Sequence, residues 1–262
     1  MARIRVGDID LYYEMSGQGE SLIFIHGLGS SSRDWEYQVA YFADSFKTLV
    51  FDLRGHGRSD KPAGPYSMQL LAQDTAALIK ELKLEPVYLV GISLGGMVAL
   101  QLALDSPELV KSLVLVNTVS EVPVRTLKER FELKLRLTVA ALLGMRYLGK
   151  LLAKRLFPQP SQQSIRELFV ERWAENDPAS YRAALHAVIG WSVTDKLDKL
   201  DIPLLVVAAE YDYIPLSTKA LIVDLVKNAE LLVIKDSRHG TPVDQPEVFN
   251  RALSDFLARC RG

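Results

Sequence analysis

The chain has 262 residues, 48% of them hydrophobic, which is enough for one domain with an insertion but too little for two independent domains. The formal net charge of −1 and the lack of a basic patch interleaved with aromatic residues exclude a typical nucleic-acid-binding protein. The single cysteine, Cys260, excludes an internal disulfide, and no spacing of Cys and His residues indicates a metal site.

The N-terminal segment is expected to form a β-hairpin rather than a targeting signal. Residues 4–6 and 9–14 alternate apolar and polar side chains as edge strands do, and the apolar segment of a signal peptide is lacking. Later apolar runs are much shorter than the roughly 20 residues of a membrane-spanning helix. We therefore expect a cytoplasmic protein without stable membrane insertion.

Strands and helices alternate after the hairpin. Strands are predicted at 22–25, 48–51, 87–90 and 112–117, and helices at 35–42 and 68–82. This alternation predicts an α/β fold with a mostly parallel twisted sheet and helices on both faces. In such sheets the active site lies at the carboxyl ends of the strands.

Ser93 lies in the pentapeptide GISLG at 91–95, between a predicted strand and a helix-forming run at 96–103. A serine in such a sharp strand-to-helix turn exposes its hydroxyl above the sheet, and the flanking glycines let the backbone pass closely. The amide of Leu94 lies at the helix N-terminus, where it can face a developing oxyanion. Ser93 is therefore the predicted nucleophile, with an ordinary glycine-rich helix start as the alternative.

A nucleophilic serine needs a base, and the chain has four histidines. His26 and His56 are interpreted as loop-shaping residues at strand ends, and His186 as a packed or half-exposed helix residue. His239 follows the apolar run 231–234 and a polar turn, so it is expected at the carboxyl edge of the sheet. His239 is the predicted base.

The acid is expected to follow another buried strand. Residues 202–209 are apolar almost throughout, as in a parallel strand covered on both faces, and Asp212 comes just after them. Glu210 and Asp236 are alternatives, because a carboxylate near a strand end is often only a turn residue. Asp212 is preferred because the loop 211–215 has the right place and chain order.

The chain order Ser93, Asp212, His239 differs from the orders in chymotrypsin and subtilisin. Further ordered motifs lie at 26–29, 52–59, 91–96, 210–215 and 242–246. Together these stretches resemble the α/β-hydrolase fold superfamily, in its branch of lidded serine esterases, enol-lactonases and carbon–carbon hydrolases. The resemblance covers nearly the whole chain.

The resemblance implies a catalytic triad of Ser93, Asp212 and His239. It also implies an oxyanion hole formed by the backbone amides of Leu28 and Leu94, and no cofactor. The related haloalkane dehalogenases and epoxide hydrolases use an aspartate nucleophile, so Ser93 argues against both of these activities.

A helical cap is expected after the sixth core strand. Residues 119–195 contain helix-period segments with no credible strand between them, which leaves 1–118 and 196–262 as the core. One or two helices are predicted at 127–157, with possible breaks at Gly144 and Gly149, and others at 165–173 and 179–189. Helices in this place would exclude water and shape the acyl pocket.

Four residues are predicted to line the pocket from their expected positions: Met97, Leu143, Trp191 and Ile214, with Leu28 as a further wall residue. Trp173 and Trp191 are interpreted first as packing residues, although Trp191, near the return of the cap to the core, could line the pocket. Between residues 121 and 157 the cap carries nine Lys and Arg residues against three Glu residues. These cations could attract a carboxylate-bearing substrate or an anionic membrane, although a solvated charged face is the preferred interpretation.

The sequence thus predicts a serine hydrolase that cleaves small-molecule carboxylic esters of small to medium acyl groups, or lactones, through an acyl-enzyme. A carbon–carbon bond hydrolase and a cofactor-free haloperoxidase or perhydrolase are alternatives with the same triad. A ligand sensor on a hydrolase scaffold is an alternative of a different class, because a fold does not determine function.

Overall fold

The computed structural model describes residues 2–124 and 126–261. Over these residues one sheet forms the centre of the molecule. Its strands are β1 (Ala2–Val6), β2 (Ile9–Ser16), β3 (Ser21–Ile25), β4 (Lys47–Phe51), β5 (Val87–Ile92), β6 (Val110–Val116), β7 (Leu204–Ala209) and β8 (Ala229–Ile234).

The strand order across the sheet is β1-β2-β4-β3-β5-β6-β7-β8. The pairs β1 with β2 and β2 with β4 are antiparallel, and the remaining pairs are parallel. The mostly parallel sheet and the N-terminal hairpin are thereby confirmed. Strand β7 begins two residues later than predicted, after Pro203, which has no N–H for the strand ladder.

The helices are α1 (Glu36–Phe42), α2 (Met68–Glu81), α3 (Leu94–Asp105), α4 (Leu127–Leu142), α5 (Gly144–Leu156), α6 (Gln163–Ala174), α7 (Pro178–Val188), α8 (Leu216–Leu225), α9 (Thr241–Asp244) and α10 (Pro246–Arg261). The described helices include none with the length and apolar character needed to cross a bilayer.

Helices cover both faces of the sheet because successive strand residues point to opposite faces. Ile23 of β3 joins a hydrophobic cluster with residues of α2, α3 and α8, whereas its neighbour Phe24 joins a cluster with residues of α1 and α10. Every residue of β3 is buried, which explains its continuous apolar sequence.

The helical cap, α4 to α7, is inserted between β6 and β7 as expected. Its two connecting segments pair with each other: the amide of Val122 donates to the carbonyl of Trp191 at 2.8 Å, and Val193 donates to Ser120 at 2.9 Å. The chain therefore leaves and re-enters the core at one place. The predicted boundaries at 118/119 and 195/196 stay a prediction.

Two glycines of the cap have different roles. Gly144 separates α4 from α5 with a φ of +79°, as predicted. The predicted break at Gly149 is wrong, because this residue lies inside α5. A Cβ at Gly149 would lie 3.0 Å from the Trp173 side chain, so the glycine lets α5 and α6 pack closely.

Candidate active site

Ser93 lies in a tight turn between β5 and α3. Its φ of 54° and ψ of −116° are unusual for a residue with a side chain. A Cβ at Gly91 would overlap the carbonyl of Gly95, and a Cβ at Gly95 would overlap the carbonyl of Ile25. The two glycines are therefore required for the turn, which holds Ser93 at the carboxyl edge of the sheet.

Asp212 and His239 meet at the same edge, in the loops after β7 and β8. The Nδ1 of His239 donates to the Oδ1 of Asp212 at 2.9 Å. The Asp212 side chain is fully buried, and that of His239 is 10% exposed. This hydrogen bond assigns the tautomer of His239 that carries its proton on Nδ1 and leaves Nε2 as an acceptor.

Lys219 of α8 is a second partner of Asp212. Its Nζ lies 2.6 Å from Oδ2, and it also donates to the carbonyl of Ile214, a partly buried residue predicted for the pocket. Burial opposes ionisation of Asp212, but the hydrogen bond from His239 and the charge of Lys219 outweigh it and lower the pKa of Asp212. Sequence reasoning missed Lys219, because a lysine in a surface helix normally indicates an exposed position.

Asn117 connects three parts of the site. It follows β6, its Nδ2 donates to the carbonyl of His239 at 3.0 Å, and its Oδ1 accepts from the amide of Ala209 at 2.8 Å. The next residue, Thr118, donates to the carbonyl of Ser93 at 2.7 Å. Consecutive residues therefore tie the loop of His239 and the turn of Ser93 together. Sequence reasoning missed Asn117, although a polar residue directly after a buried strand was a usable signal.

Tyr213 contacts the other side of His239. Its hydroxyl donates to Nε2 at 2.9 Å, and the two ring centroids are 4.3 Å apart. Among the described residues, the hydrogen-bond partner of Nε2 is therefore Tyr213 rather than Ser93. The hydroxyl of Tyr213 must leave Nε2 before that atom can accept a proton from elsewhere.

A family model for the alpha/beta hydrolase fold matches residues 20–246. The chain belongs to the α/β-hydrolase fold family. The sheet order agrees with the fold that the resemblance in the sequence implies.

Relatives of this α/β-hydrolase match over nearly its whole length. It is 29% identical over 260 residues to 3-oxoadipate enol-lactonase 2 of Acinetobacter baylyi, and the match covers 96% of this chain and 94% of the relative. It is 28% identical over 252 residues to the (E)-2-((N-methylformamido)methylene)succinate hydrolase of the same organism, and the match covers 94% of this chain and 93% of the relative. These relatives support hydrolase activity for this chain.

The fold is also similar to that of solved structures. The crystal structure of the enol-lactonase from Burkholderia xenovorans LB400 has a TM-score of 0.91 and 21% sequence identity, and the match covers 98% of this chain and 100% of that chain. This similarity concerns the fold.

The loop 26–29 of the α/β-hydrolase lies beside Ser93. A Cβ at Gly27 would lie 3.6 Å from the Cβ of Ser93, and a Cβ at Gly29 would meet the ring of Trp173 in the cap. Leu28 lies between these contacts, and Leu94 is the first residue of α3. Their amides as the oxyanion hole stay a prediction.

Two of the other histidines and the two alternative acids have hydrogen-bond partners other than His239. His26 accepts from the amide of Leu53 at 3.0 Å, and His56 donates to a backbone carbonyl at 3.0 Å, as loop-shaping residues do. Burial lowers the pKa of His56 to about 3. The alternative acids lie together at the surface, where Glu210 accepts from the amide of Asp236 at 2.9 Å.

The predicted pocket residues differ in their surroundings. Met97 is buried in α3, one turn after Ser93. Trp191 is buried and donates from Nε1 to Gln101 of α3 at 2.8 Å, so it packs against the core. Leu143 is 56% exposed at the junction of α4 and α5.

Two arginines of the cap lie near Tyr213. The guanidinium of Arg155 is 4.6 Å from the centroid of the Tyr213 ring, and Arg136 donates to the hydroxyl of buried Tyr181 at 2.5 Å. Tyr213 is 44% exposed, so the burial that would raise the pKa of its phenol is incomplete, and the charges of Arg136 and Arg155 lower that pKa. Of the other cations in the basic stretch, Arg125 and the side chain of Lys128 lie outside the described part of the chain.

Proposed function

We propose that the chain is a serine hydrolase that cleaves carboxylic esters or lactones of small to medium acyl groups through an acyl-enzyme. Ser93 acts as nucleophile, His239 as general base and then general acid, and Asp212 orients the imidazole. The observation that carries the proposal is the hydrogen bond of 2.9 Å between Asp212 and His239 at the sheet edge that holds the strained turn of Ser93.

The reaction begins when Tyr213 releases the Nε2 of His239. Nε2 then accepts the proton of Ser93 as its Oγ attacks the carbonyl carbon, and Asp212 stabilises the imidazolium that forms. The imidazolium protonates the leaving alkoxide, which departs as an alcohol. A water activated by the same Nε2 then attacks the acyl-enzyme and releases the carboxylic acid.

The backbone amides of Leu28 and Leu94 stabilise the oxyanion of both tetrahedral intermediates. A single donor of this kind is typically worth about 100- to 1000-fold in turnover. Because the donors are backbone groups, substitution of either leucine side chain is expected to alter specificity more than rate.

The proposed cap, residues 119–195, selects the acyl group. Arg155 places positive charge beside Tyr213, next to the histidine, and the charge of Arg136 also acts on Tyr213 from its place on Tyr181; these charges favour acyl groups that carry a carboxylate. The two relatives compared above are named for an oxoadipate lactone and a succinate derivative, which are carboxylates.

The test is hydrolysis of a p-nitrophenyl ester series from acetate to octanoate by the wild type and Ser93→Ala in parallel. We expect turnover that depends on chain length, an initial burst of p-nitrophenol and loss of both in Ser93→Ala. A wild type that folds but turns over no ester or lactone would overturn the proposal. Cleavage of a vinylogous diketone would then indicate a carbon–carbon hydrolase, peroxide-dependent turnover a perhydrolase, and binding without turnover a sensor.

A further inference from the structure

Lys219 is a buried cation to which the proposed reaction assigns no step. Its side chain and that of Asp212 are both 0% exposed. Lysine is almost never fully buried unless it is paired. Because the desolvation of two charges often exceeds their attraction, a buried ion pair is weak evidence for stability. A buried pair that shares a carboxylate with His239 therefore calls for a functional explanation.

The two oxygens of Asp212 have separate partners. Oδ1 accepts from His239, and Oδ2 accepts from Lys219 at 2.6 Å. Lys219 also donates to the carbonyl of Ile214 at 3.1 Å. Its ammonium group therefore joins the carboxylate of Asp212 to the backbone two residues later. The carboxylate is held at both oxygens and cannot rotate away from the imidazole without breaking the ion pair.

We propose that Lys219 is a positioning residue of the triad, which fixes the carboxylate of Asp212 beside His239 and balances its charge. This inference rests on the proposed function. A carboxylate beside a histidine stabilises the imidazolium, and an imidazolium cannot accept the proton of Ser93. The positive charge of Lys219 opposes this stabilisation, so we expect its removal to favour the imidazolium.

Other charged and titratable groups also face His239. Tyr213 contacts its ring, and the charges of Arg155 and Arg136 reach Tyr213 from the cap. Asp244 of α9 accepts from the amide of Arg238, next to His239, at 2.8 Å. Burial raises the pKa of Asp244 to about 6, which falls in the pH range of the expected effect, so Asp244 needs its own control.

The experiment compares the pH dependence of kcat/KM for the wild type, Lys219→Met and Lys219→Gln with the best ester of the series. Both substitutions remove the charge, and Gln keeps an N–H donor. Ile222→Val is the matched control, because Ile222 is fully buried on the same helix. Asp244→Asn removes the second titrating group near the histidine.

We expect the acid limb of kcat/KM to move to higher pH by about one unit in both Lys219 variants, because both leave the charge of Asp212 unbalanced. At the alkaline plateau we expect a loss of about tenfold in Lys219→Met and a smaller loss in Lys219→Gln, as removal of a charged hydrogen bond implies. The limb should stay in place in Ile222→Val, and the shift should persist in the Asp244→Asn background.

An unshifted acid limb in a folded Lys219 variant, or an equal shift in Ile222→Val, would overturn the inference. If Lys219→Met does not fold, the position of the acid limb of kcat/KM in Lys219→Gln tests the inference. A different result would contradict the proposed function: no ester turnover by the wild type, or turnover that persists in Ser93→Ala. Ser93-dependent turnover with an unshifted limb contradicts only the role of Lys219.

Discussion

The carboxyl edge of the sheet and the helical cap meet at the candidate site, but the two regions differ in how their own side chains are buried and bonded. At the sheet edge, the side chains of Asn117, Asp212 and Lys219 are buried and hydrogen-bonded. Asn117 bonds to the backbone of Ala209 and His239, and Asp212 bonds to Lys219. In the cap, helix α4 leaves large apolar side chains in solvent, with Leu127 84% exposed and Phe131 67% exposed. The proposed chemistry therefore lies in the region with buried, hydrogen-bonded side chains, and the proposed substrate selection lies in the more exposed one.

Ion pairs supply part of the contact between the two regions. Arg172 of the cap pairs with Asp34 at 3.2 Å and with Glu36 at 3.0 Å, and Arg33 pairs with Glu175. The Arg33–Glu175 pair lies at the surface, where such pairs typically contribute about 0–1 kcal/mol, whereas the Arg172 side chain is 15% exposed. Substitutions at the sheet edge should thus reduce turnover of every substrate, whereas substitutions in the cap should discriminate between substrates.

Among the substitutions that test this contrast, Asn117→Ala is expected to have the largest effect on turnover. This substitution removes the hydrogen bonds that tie the His239 loop to β6 and β7. Misplacement of a catalytic group by about 1 Å costs on the order of 100-fold, so we expect kcat to fall by that factor for all esters alike. Asn228→Ala, which alters an exposed asparagine, is the control, and a loss confined to one ester would contradict the expectation.

Arg155→Gln should give a smaller, selective effect. Loss of its charge beside Tyr213 should raise KM about tenfold for an ester with a terminal carboxylate, because a charged hydrogen bond is worth about 1.5–3 kcal/mol. The neutral methyl-capped ester of the same shape should be unaffected. Lys154→Gln, one residue earlier on α5, is the matched control. Equal losses for both esters would show that Arg155 does not select charge.

Tyr213→Phe tests the contact where the two regions meet at His239. The hydroxyl of Tyr213 occupies Nε2, and that hydrogen bond must break before catalysis. Because such a bond contributes about 1 kcal/mol, its removal should raise kcat/KM by about fivefold, measured by steady-state kinetics at neutral pH. Tyr211→Phe is the control in the same loop. A fall in kcat/KM would instead give the Tyr213 hydroxyl a positive role in turnover.

Asp244→Asn should have the smallest effect, on stability. Burial raises the pKa of Asp244 to about 6, above the value of 3.8 for a free side chain, so the fold favours the protonated acid. This contribution is fully present below about pH 4 and is lost as the pH rises through about 6. We expect the Tm of the variant relative to the wild type to rise by about 5 °C between pH 4 and pH 8 in thermal unfolding. A pH-independent difference would contradict this assignment.

The sequence predicted the sheet edge better than the cap for a physical reason. Strands such as β3 and β7 are buried on both faces, so their apolar runs mark their ends and the residues that follow them, Asp212 among these. The cap helices lie partly in solvent, where their pattern indicated helix but not which face meets the site. Lys219 and Tyr213 were not predictable, because their roles depend on side-chain directions that only the tertiary structure determines.

The most direct test of the account is intact-protein mass spectrometry of the enzyme quenched within the burst phase of p-nitrophenyl ester hydrolysis. We expect a mass increase of one acyl group, located by digestion on the peptide that contains Ser93, and no increase in Ser93→Ala. Turnover without an acyl adduct on Ser93, or an adduct at another residue, would contradict the assignment of Ser93 as the nucleophile.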